Sequence, residues 1–600
     1  MCGIVYKSSF YTESDIPRFV KSCELLNHRG PDEWGYVLNN RHMLGHKRLS
    51  IVDLINGHQP MSNDDHHLIY NGELYNIEEL KRYLINDGIN LDNCGDTFLL
   101  FNLLLKYNES IINSLNGIFA FVYIDKDEVI AARDPFGVKP LYYSFYDKDI
   151  IISSEIKSIL SYKEESIVDR TGICELLGMG PSHSQGKTVF KDIYELKPGH
   201  YLKFSKSKGF TIHRYYELKA YPFNYSYKET VKRVRELLDK AIKRQLISDV
   251  GVSTFLSGGL DSSIISTVVA RQIPKLDTYS IDYEDNDTDY KANAYEIERD
   301  NSYALKVSNA IKSNHHMEVI STDDVVKLLT HVVDLKDFPG MTDIDSSMYY
   351  LATKIAKDHK VSLSGECADE IFGGYPWYYK KEKEACYFPW IRNIEFRESL
   401  LNPKIKDKIN LSKYVENEYN EAIKEVKFLP DDTPTMKKQR ELFYLNTKYF
   451  MTNLLDRKDR MTMGASLEVR VPFCDRNLVE FLYNVPFKYK YRSKTEKKLL
   501  RDAYKDIVIP DVIERKKSPY PKSKSKKYDE IVKNLVLKAL DNKDSILYQI
   551  FDIEEVIKLV NSDIEFDIPW YGQLMRKTAM LAYIYQIDYW GRKYNIKLEL

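Results

Sequence analysis

Hydrophobic and polar positions fall into two textures along the chain. Up to about residue 205, short apolar or alternating runs are broken by Gly, Asn and Asp. Examples are HMLGHKRLSIVDL (42–54), HHLIYNGELYN (66–76), GIFAFVYIDKDEVIAARDP (117–135) and LYYSFYDKDIIISSE (141–155). β-Branched and aromatic residues bounded by turn formers predict strands. TFLLFNLLLKY (97–107) predicts an intervening helix. Several strands with a few helices predict a layered α+β domain over 2–205.

Residues 206–228 are polar and turn-rich, and we assign them as a linker. Helical spacing then takes over, with Val231, Val234, Leu237, Leu238, Ala241, Ile242 and Leu246 recurring at three and four. GVSTFL (251–256) predicts a strand, SGGLDSS follows, and Ile264, Ile265, Val268 and Val269 mark one face of a helix. TYSIDY (278–283), HHMEVI (315–320) and KVSLSGE (360–366) predict further strands between helices. This alternation predicts a parallel α/β sheet in a second domain, 229–600. From about 435 the pattern is mostly helical, and lysine-rich SPYPKSKSKKYD (518–529) reads as a loop.

Six hundred residues exceed what one core supports, which agrees with two domains. Lys+Arg 87 against Asp+Glu 88 gives net charge -1, which argues against a strongly basic nucleic-acid binder. The longest apolar runs are too short to cross a bilayer, and the polar turn at Lys7 leaves no signal-peptide core. The seven cysteines (2, 23, 94, 174, 367, 386, 474) form no CxxC pair, which fits a reducing cytosol and argues against structural zinc. A cytoplasmic protein with neither membrane nor nucleic-acid partner is the expectation.

Three stretches carry candidate chemistry. In MCGI, removal of Met1 would leave Cys2 with a thiol and an α-amine. That amine has a pKa of about 7.7–8.0 against about 10.4 for lysine, so the residue brings its own mild base. In SGGLDSS (257–263), Ser257, Gly258, Gly259, Ser262 and Ser263 offer N–H groups and hydroxyls at a helix start, an anion cradle. The Lys-Ser/Thr ending of a Walker A loop is missing. Asp261 within such a cradle calls for a bridging cation, and we expect Mg²⁺. In LSGECADEIFGGY (363–375), Glu366, Asp369 and Glu370 crowd one turn after a strand. Lys497, Lys498 and Arg501 in KTEKKLLRD (494–502) could meet phosphates. Each stretch also has a plain structural reading: a glycine turn, a solvated acidic turn, a solvated helix face.

The ordered set of motifs resembles the glutamine-hydrolysing asparagine synthetases of the B type, class II glutamine amidotransferases. It comprises MCGI, NHRGPDEWG (27–35), GHKRLSIVDL (45–54), NGELYN (71–76), ARDPFGVKPLYY (132–143), SGGLDSS, SGECADEIFGGY, DRMTMGASLEVRVPFCD (459–475) and RKKSPYPK (515–522), across nearly the whole chain. The resemblance implies an N-terminal-nucleophile hydrolase domain of layered antiparallel sheets, followed by an ATP-pyrophosphatase α/β domain. Cys2 would attack the glutamine amide, with Asn71 and Gly72 N–H as oxyanion hole. Arg48 would hold the substrate carboxylate, and Glu73 and Asp96 its ammonium. ATP would be the co-substrate that activates aspartate as β-aspartyl-AMP. Leu256, Ser257, Gly258, Gly259, Ser262, Ser263, Ser280 and Gly365 would bind nucleotide and pyrophosphate, with Asp261 and Asp369 on Mg²⁺. Lys497 would neutralise developing charge, and Glu366 would serve as general base. A dry passage for ammonia and a homodimer are also implied.

The chain departs from the family pattern in three places. Asp96 sits in CGDTF, Cys367 replaces a glycine, and SIDY places Asp282 where the family has glycine. Arg457 and Arg460 are candidates for the acceptor's α-carboxylate, and SIDYEDNDTDYKANAYEIERDNS (280–302) carries an insertion of unassigned role. The alternatives are an amidotransferase of the same framework acting on a peptide, sugar acid or antibiotic precursor, and a degenerate regulator. The intact charged residues argue against the regulator.

Overall fold

The computed structural model describes all residues except 1, 9–14, 40, 86–87, 93, 147, 287–299, 380–386, 524 and 564–565. Most of the 284–302 insertion and Cys386 therefore lie outside the described residues.

The N-terminal region stacks two six-stranded antiparallel sheets. Strand Cys2–Ser8 lies inside the first, between His42–Arg48 and Asp149–Ser153. Strand His66–Leu74 lies in the second, beside Gly117–Asp125. Ile4, Tyr6 and Leu44 of one sheet pack on Ile69, Ala120 and Val122 of the other. Phe119, Phe121 and Tyr123 bury the opposite face of their strand in a cluster with Leu99 and Leu103, so that strand reads as an unbroken apolar run. The predicted helix at 97–107 is present as Asp96–Tyr107.

The second sheet continues past the boundary expected at 205. Strand Gly209–Arg214 pairs in full with His200–Ser205. All its residues are exposed, so no inward face marked it in the sequence. The following helix, Tyr227–Arg244, starts at a capping box in which Ser226 and Glu229 satisfy each other's backbone.

The C-terminal region holds a five-stranded parallel sheet in the order Asn314–Ile320, Asp277–Tyr283, Val252–Phe255, Val361–Leu363, Glu468–Arg470. From Val252–Phe255 the chain adds strands outward on one side, then crosses to the other. The strand order therefore reverses between Val252–Phe255 and Val361–Leu363. Open α/β sheets bind ligands at such a point, beyond the strands' carboxyl ends. Edge strand Glu468–Arg470 lies within the stretch expected to be helical. It is three residues long, too short for a period to show. Helices make up most of the remainder, as the pattern predicts. No helix among the described residues is long and apolar enough to cross a membrane.

Candidate active site

Two constellations form, one in each region. The first is built where the two antiparallel sheets meet at Cys2. The Cys2 nitrogen donates to Asn71 Oδ1 at 2.9 Å, a bond between the two sheets. A donor on that side requires the amide to present its oxygen, which leaves Nδ2 facing away. Asn71 is fully buried and Nδ2 has no partner. A buried, unpaired donor is costly unless a ligand oxygen completes it, and this one belongs to the residue that holds the Cys2 nitrogen. Gly72 follows on the same strand. A β-carbon there would meet Ile118 O at 2.3 Å, so the close pairing with the neighbouring strand requires glycine.

Cys2 and Arg48 are register partners across adjacent strands. Arg48 is buried, donating to Glu33 Oε2 at 3.0 Å and to Asp53 O at 2.6 Å. Burial pushes the Cys2 thiol up, but His46, the N-terminal ammonium and the Leu49 backbone together outweigh it, and the thiol is brought down to about 7. Asp96 starts its helix, accepting from Tyr70 Oη at 2.9 Å and from Leu74 N at 3.1 Å. Glu73 faces Arg470 at 3.4 Å. Burial raises both carboxyls, and Asp96 further raises Glu73. Two close buried acids of this kind favour a cationic group between them.

The second constellation surrounds a cavity of about 280 Å³ at the sheet's reversal point. Leu256, Ser257, Gly259, Asp261, Ser262, Ser280, Gly365, Glu366, Asp369 and Lys497 all line it. The two loops interlock: a β-carbon on Gly365 would meet Ser262 N at 2.7 Å. Gly258 has φ +74, and its carbonyl accepts from Arg515 at 3.0 Å. Ser263 is fully buried and does not line the cavity; its N–H is used on Gly259 O.

Lys497 Nζ lies 2.7 Å from Asp261 Oδ2 and 2.7 Å from Asp369 Oδ1. The two carboxylates thus converge on a single cation-sized point. Lys517 holds the other oxygen of Asp369 at 2.8 Å. Burial acts to raise Asp369, yet Lys497 and Lys517 hold it well below the usual range. Asp261 is raised by burial and by Asp369. Glu370, grouped with these acids in the sequence, accepts from Tyr375 Oη at 2.5 Å instead.

Glu366 meets Arg457 at 3.3 Å, while its Oε2 is buried without a partner. Burial raises its carboxyl, which suits a proton acceptor working near neutrality. Arg460 is elsewhere, fully buried against Asp456, Glu155 and Asp337. Asp282 accepts from Asn286 at 2.8 Å and also from Asn301. It thereby ties together the two described ends of the insertion.

The chain matches the family described as Asparagine synthase over residues 233–592, and the Glutamine amidotransferase domain over 1–216. It is 42% identical to asparagine synthetase [glutamine-hydrolyzing] 3 of Bacillus subtilis, with 100% of each chain covered. The chain belongs to the glutamine-hydrolysing asparagine synthetase family. Asparagine synthetase [glutamine-hydrolyzing] 1 of Bacillus subtilis is 29% identical over 87% of each chain. Amidase chry2 of Gibberella zeae is 28% identical, covering 83% of this chain and 84% of that one.

Against this family background, sequence reading missed three side chains. His46 sits in the quoted GHKR string, but only the folded strands bring it to Cys2. Lys517 sits in RKKSPYPK, where lysines abound and nothing singles one out. Arg29 is fully buried: Nε donates to Cys2 O at 3.1 Å, Nη1 to Glu155 at 2.9 Å and Nη2 to Asp459 at 2.7 Å. Its partners are far away in sequence, so no local signal could mark it.

Proposed function

We propose that this enzyme amidates L-aspartate to L-asparagine with nitrogen from glutamine and energy from ATP. The reaction runs through β-aspartyl-AMP and releases AMP, pyrophosphate and glutamate. The two family matches support a glutamine amidotransferase role for the N-terminal region and a synthase role for the C-terminal one, to which we assign the adenylation. One observation carries the reading. Buried helix Met451–Met463 touches both constellations, through Asp459 to the Arg29 that holds Cys2, and through Arg457 to Glu366.

In this reading Met1 is removed, and the α-amine of Cys2 takes the thiol proton during attack on the glutamine amide. Asn71 Nδ2 and Gly72 N–H receive the developing oxyanion. Arg48 exchanges Glu33 for the substrate carboxylate, and Glu73 and Asp96 take its ammonium. Liberated ammonia stays neutral only out of bulk water, so it travels within the protein to the second cavity. There Glu366 accepts a proton as ammonia attacks the activated carbonyl.

Asp261 and Asp369 fit Mg²⁺, since they already meet around one positive charge. Among the described residues no group of three or more His, Cys, Asp and Glu forms a metal site. Two carboxylates completed by substrate phosphates are the usual Mg²⁺ arrangement. When bound, the ion would neutralise charge on the pyrophosphate leaving group. Lys497 and Lys517 would supply positive charge to phosphate oxygens at the same site. We place the enzyme in the cytosol, and a homodimer is the family expectation.

A second reading keeps the chemistry and changes the acceptor to another carboxylate. It is favoured by Asp282, which anchors the insertion whose residues Asp300 and Asn301 line the cavity. The test is to supply glutamine, ATP, Mg²⁺ and candidate acids and to weigh the product. Amidated aspartate supports the first reading. Failure of aspartate with success of another acid replaces it with the second.

A further inference from the structure

A run of hydroxyls joins helix Asp300–Ile311 to the wall of the second cavity. On the paired strands Asp277–Tyr283 and Asn314–Ile320, Thr278 lies opposite His315. Ser280, two residues further on, shares the Thr278 face. His315 therefore bridges two hydroxyls, with Nδ1 3.0 Å from Thr278 Oγ1 and Nε2 3.1 Å from Ser280 Oγ. Thr278 Oγ1 is also 3.1 Å from Ser313 Oγ, which lies 2.9 Å from Ser308 Oγ. Ser308 Oγ in turn is 3.1 Å from Ser313 O. Thr278, Ser280 and Ser308 are buried. Ser280 lines the cavity; so do Phe255 and Ile281 of the same two neighbouring strands, which offer apolar surface to a flat base.

The run has one direction. A hydroxyl carries one hydrogen, and a neutral imidazole one N–H. A backbone carbonyl only accepts, so Ser308 commits its hydrogen to Ser313 O. Ser313 must then donate to Ser308, Thr278 to Ser313, and His315 Nδ1–H to Thr278. Nε2 is left as an acceptor, and Ser280 donates to it. Burial and the neighbouring His316 hold the imidazole below its ordinary pKa, so it is neutral near pH 7.

We propose that His315 determines base specificity: it engages the single hydrogen of Ser280, leaving that hydroxyl an acceptor that selects purines with a 6-amino group over 6-keto purines. The proposal rests on the nucleotide role given above to the second cavity. An amino group donates to the Ser280 oxygen. A keto group sets a second acceptor against it, and the buried pair goes unsatisfied. His315 does not itself line the cavity, so it acts through Ser280 as a positioning residue. A tie that merely held the two strands together would leave base preference unchanged.

The experiment compares ATP with inosine triphosphate, in which a keto group replaces the 6-amino group. Pyrophosphate release by the full chain is followed with Mg²⁺, aspartate and ammonia, and the ratio of kcat/KM values is the readout. In His315→Leu the Ser280 hydrogen is free to turn to the base. The preference for ATP should fall about 10-fold to 10²-fold, the effect of one unsatisfied buried group. His315→Gln, whose carbonyl oxygen can accept from Ser280, should recover part of it. Ser280→Ala should lower the preference as well, and adding His315→Leu to it should change nothing more. An unchanged preference in His315→Leu overturns the proposal, as does a further fall in the double variant. Should His315→Leu fail to fold, nitrogen-15 shifts of labelled histidine in the wild type decide. Protonation at Nδ1 supports the proposal and protonation at Nε2 overturns it. No pyrophosphate release by the wild type would count against the adenylating role. The ratio of ATP and inosine triphosphate dissociation constants, from equilibrium dialysis, would then decide the role of His315.

Discussion

The Cys2 nitrogen and Asn71 Oδ1 are 2.9 Å apart, and their bond fixes which end of the Asn71 amide remains open. The open end, Nδ2, is a buried donor with no partner, on the side chain that holds the Cys2 nitrogen. Asn71→Ala should therefore lower kcat for glutamine hydrolysis by about 10²–10³, the usual effect of losing one oxyanion donor. The KM for glutamine should move little, and ammonia-dependent synthesis should be unchanged. Steady-state glutamate release with both nitrogen sources checks this.

His46 is the largest of the influences that lower the Cys2 thiol. The thiol is brought down to about 7 against an opposing effect of burial. Because the reactive form is the thiolate, alkylation of Cys2 should be slow below pH 7 and level off above it. His46→Ala removes the main lowering influence, so the midpoint should shift upward and the rate at pH 7 should fall. A pH series of iodoacetamide labelling, read by mass at Cys2, gives the midpoint directly.

Lys497 and Lys517 share the carboxylates of the second cavity, but only Lys497 touches both. A hydrogen bond to a charged group contributes about 1.5–3 kcal/mol, roughly one to two orders of magnitude in rate. Lys517→Ala should accordingly slow pyrophosphate release by about that factor and weaken product inhibition by pyrophosphate. Lys497→Ala should cost more. Neither change should alter glutamine hydrolysis measured alone.

Arg29 is the buried cation between Cys2 O, Glu155 and Asp459. Removing one partner of a buried ion pair costs about 3–5 kcal/mol, because the remaining charges stay buried. Arg29→Ala should lower the apparent melting temperature and depress glutamine-dependent synthesis. Arg29→Lys should recover part of the stability but not the three-way grip. Thermal unfolding and the two nitrogen-source assays separate these effects.

Much of this architecture was legible because its signals are local. Short apolar and aromatic runs between turn formers marked 42–48 and 66–74 as strands, and SGGLDSS announced a strand, a cradle and a helix within one short window. The glycines were informative for the same reason: at Gly72 and Gly365 a β-carbon has no room. What escaped notice was non-local or without a face. Strand Gly209–Arg214 is exposed throughout, and strand Glu468–Arg470 is brief and fully buried. Glu73 was expected to await a substrate ammonium, yet Arg470 from the far edge of the other sheet reaches it. Ser263 belonged to the cradle by sequence, but one residue of helix rotation beyond Ser262 turns it into the core. Arg457 and Arg460 looked equivalent; nearly a full helical turn separates a cavity wall from a buried ion-pair network.

The measurement closest to the central claim is phosphorus NMR of the nucleotide products combined with the mass of the amidated acid, for wild type and Cys2→Ala, with glutamine or ammonia. The account predicts AMP and pyrophosphate in step with asparagine from either nitrogen source in the wild type. In the variant it predicts the same products from ammonia alone. ADP with orthophosphate, or a variant inactive with both nitrogen sources, would contradict it.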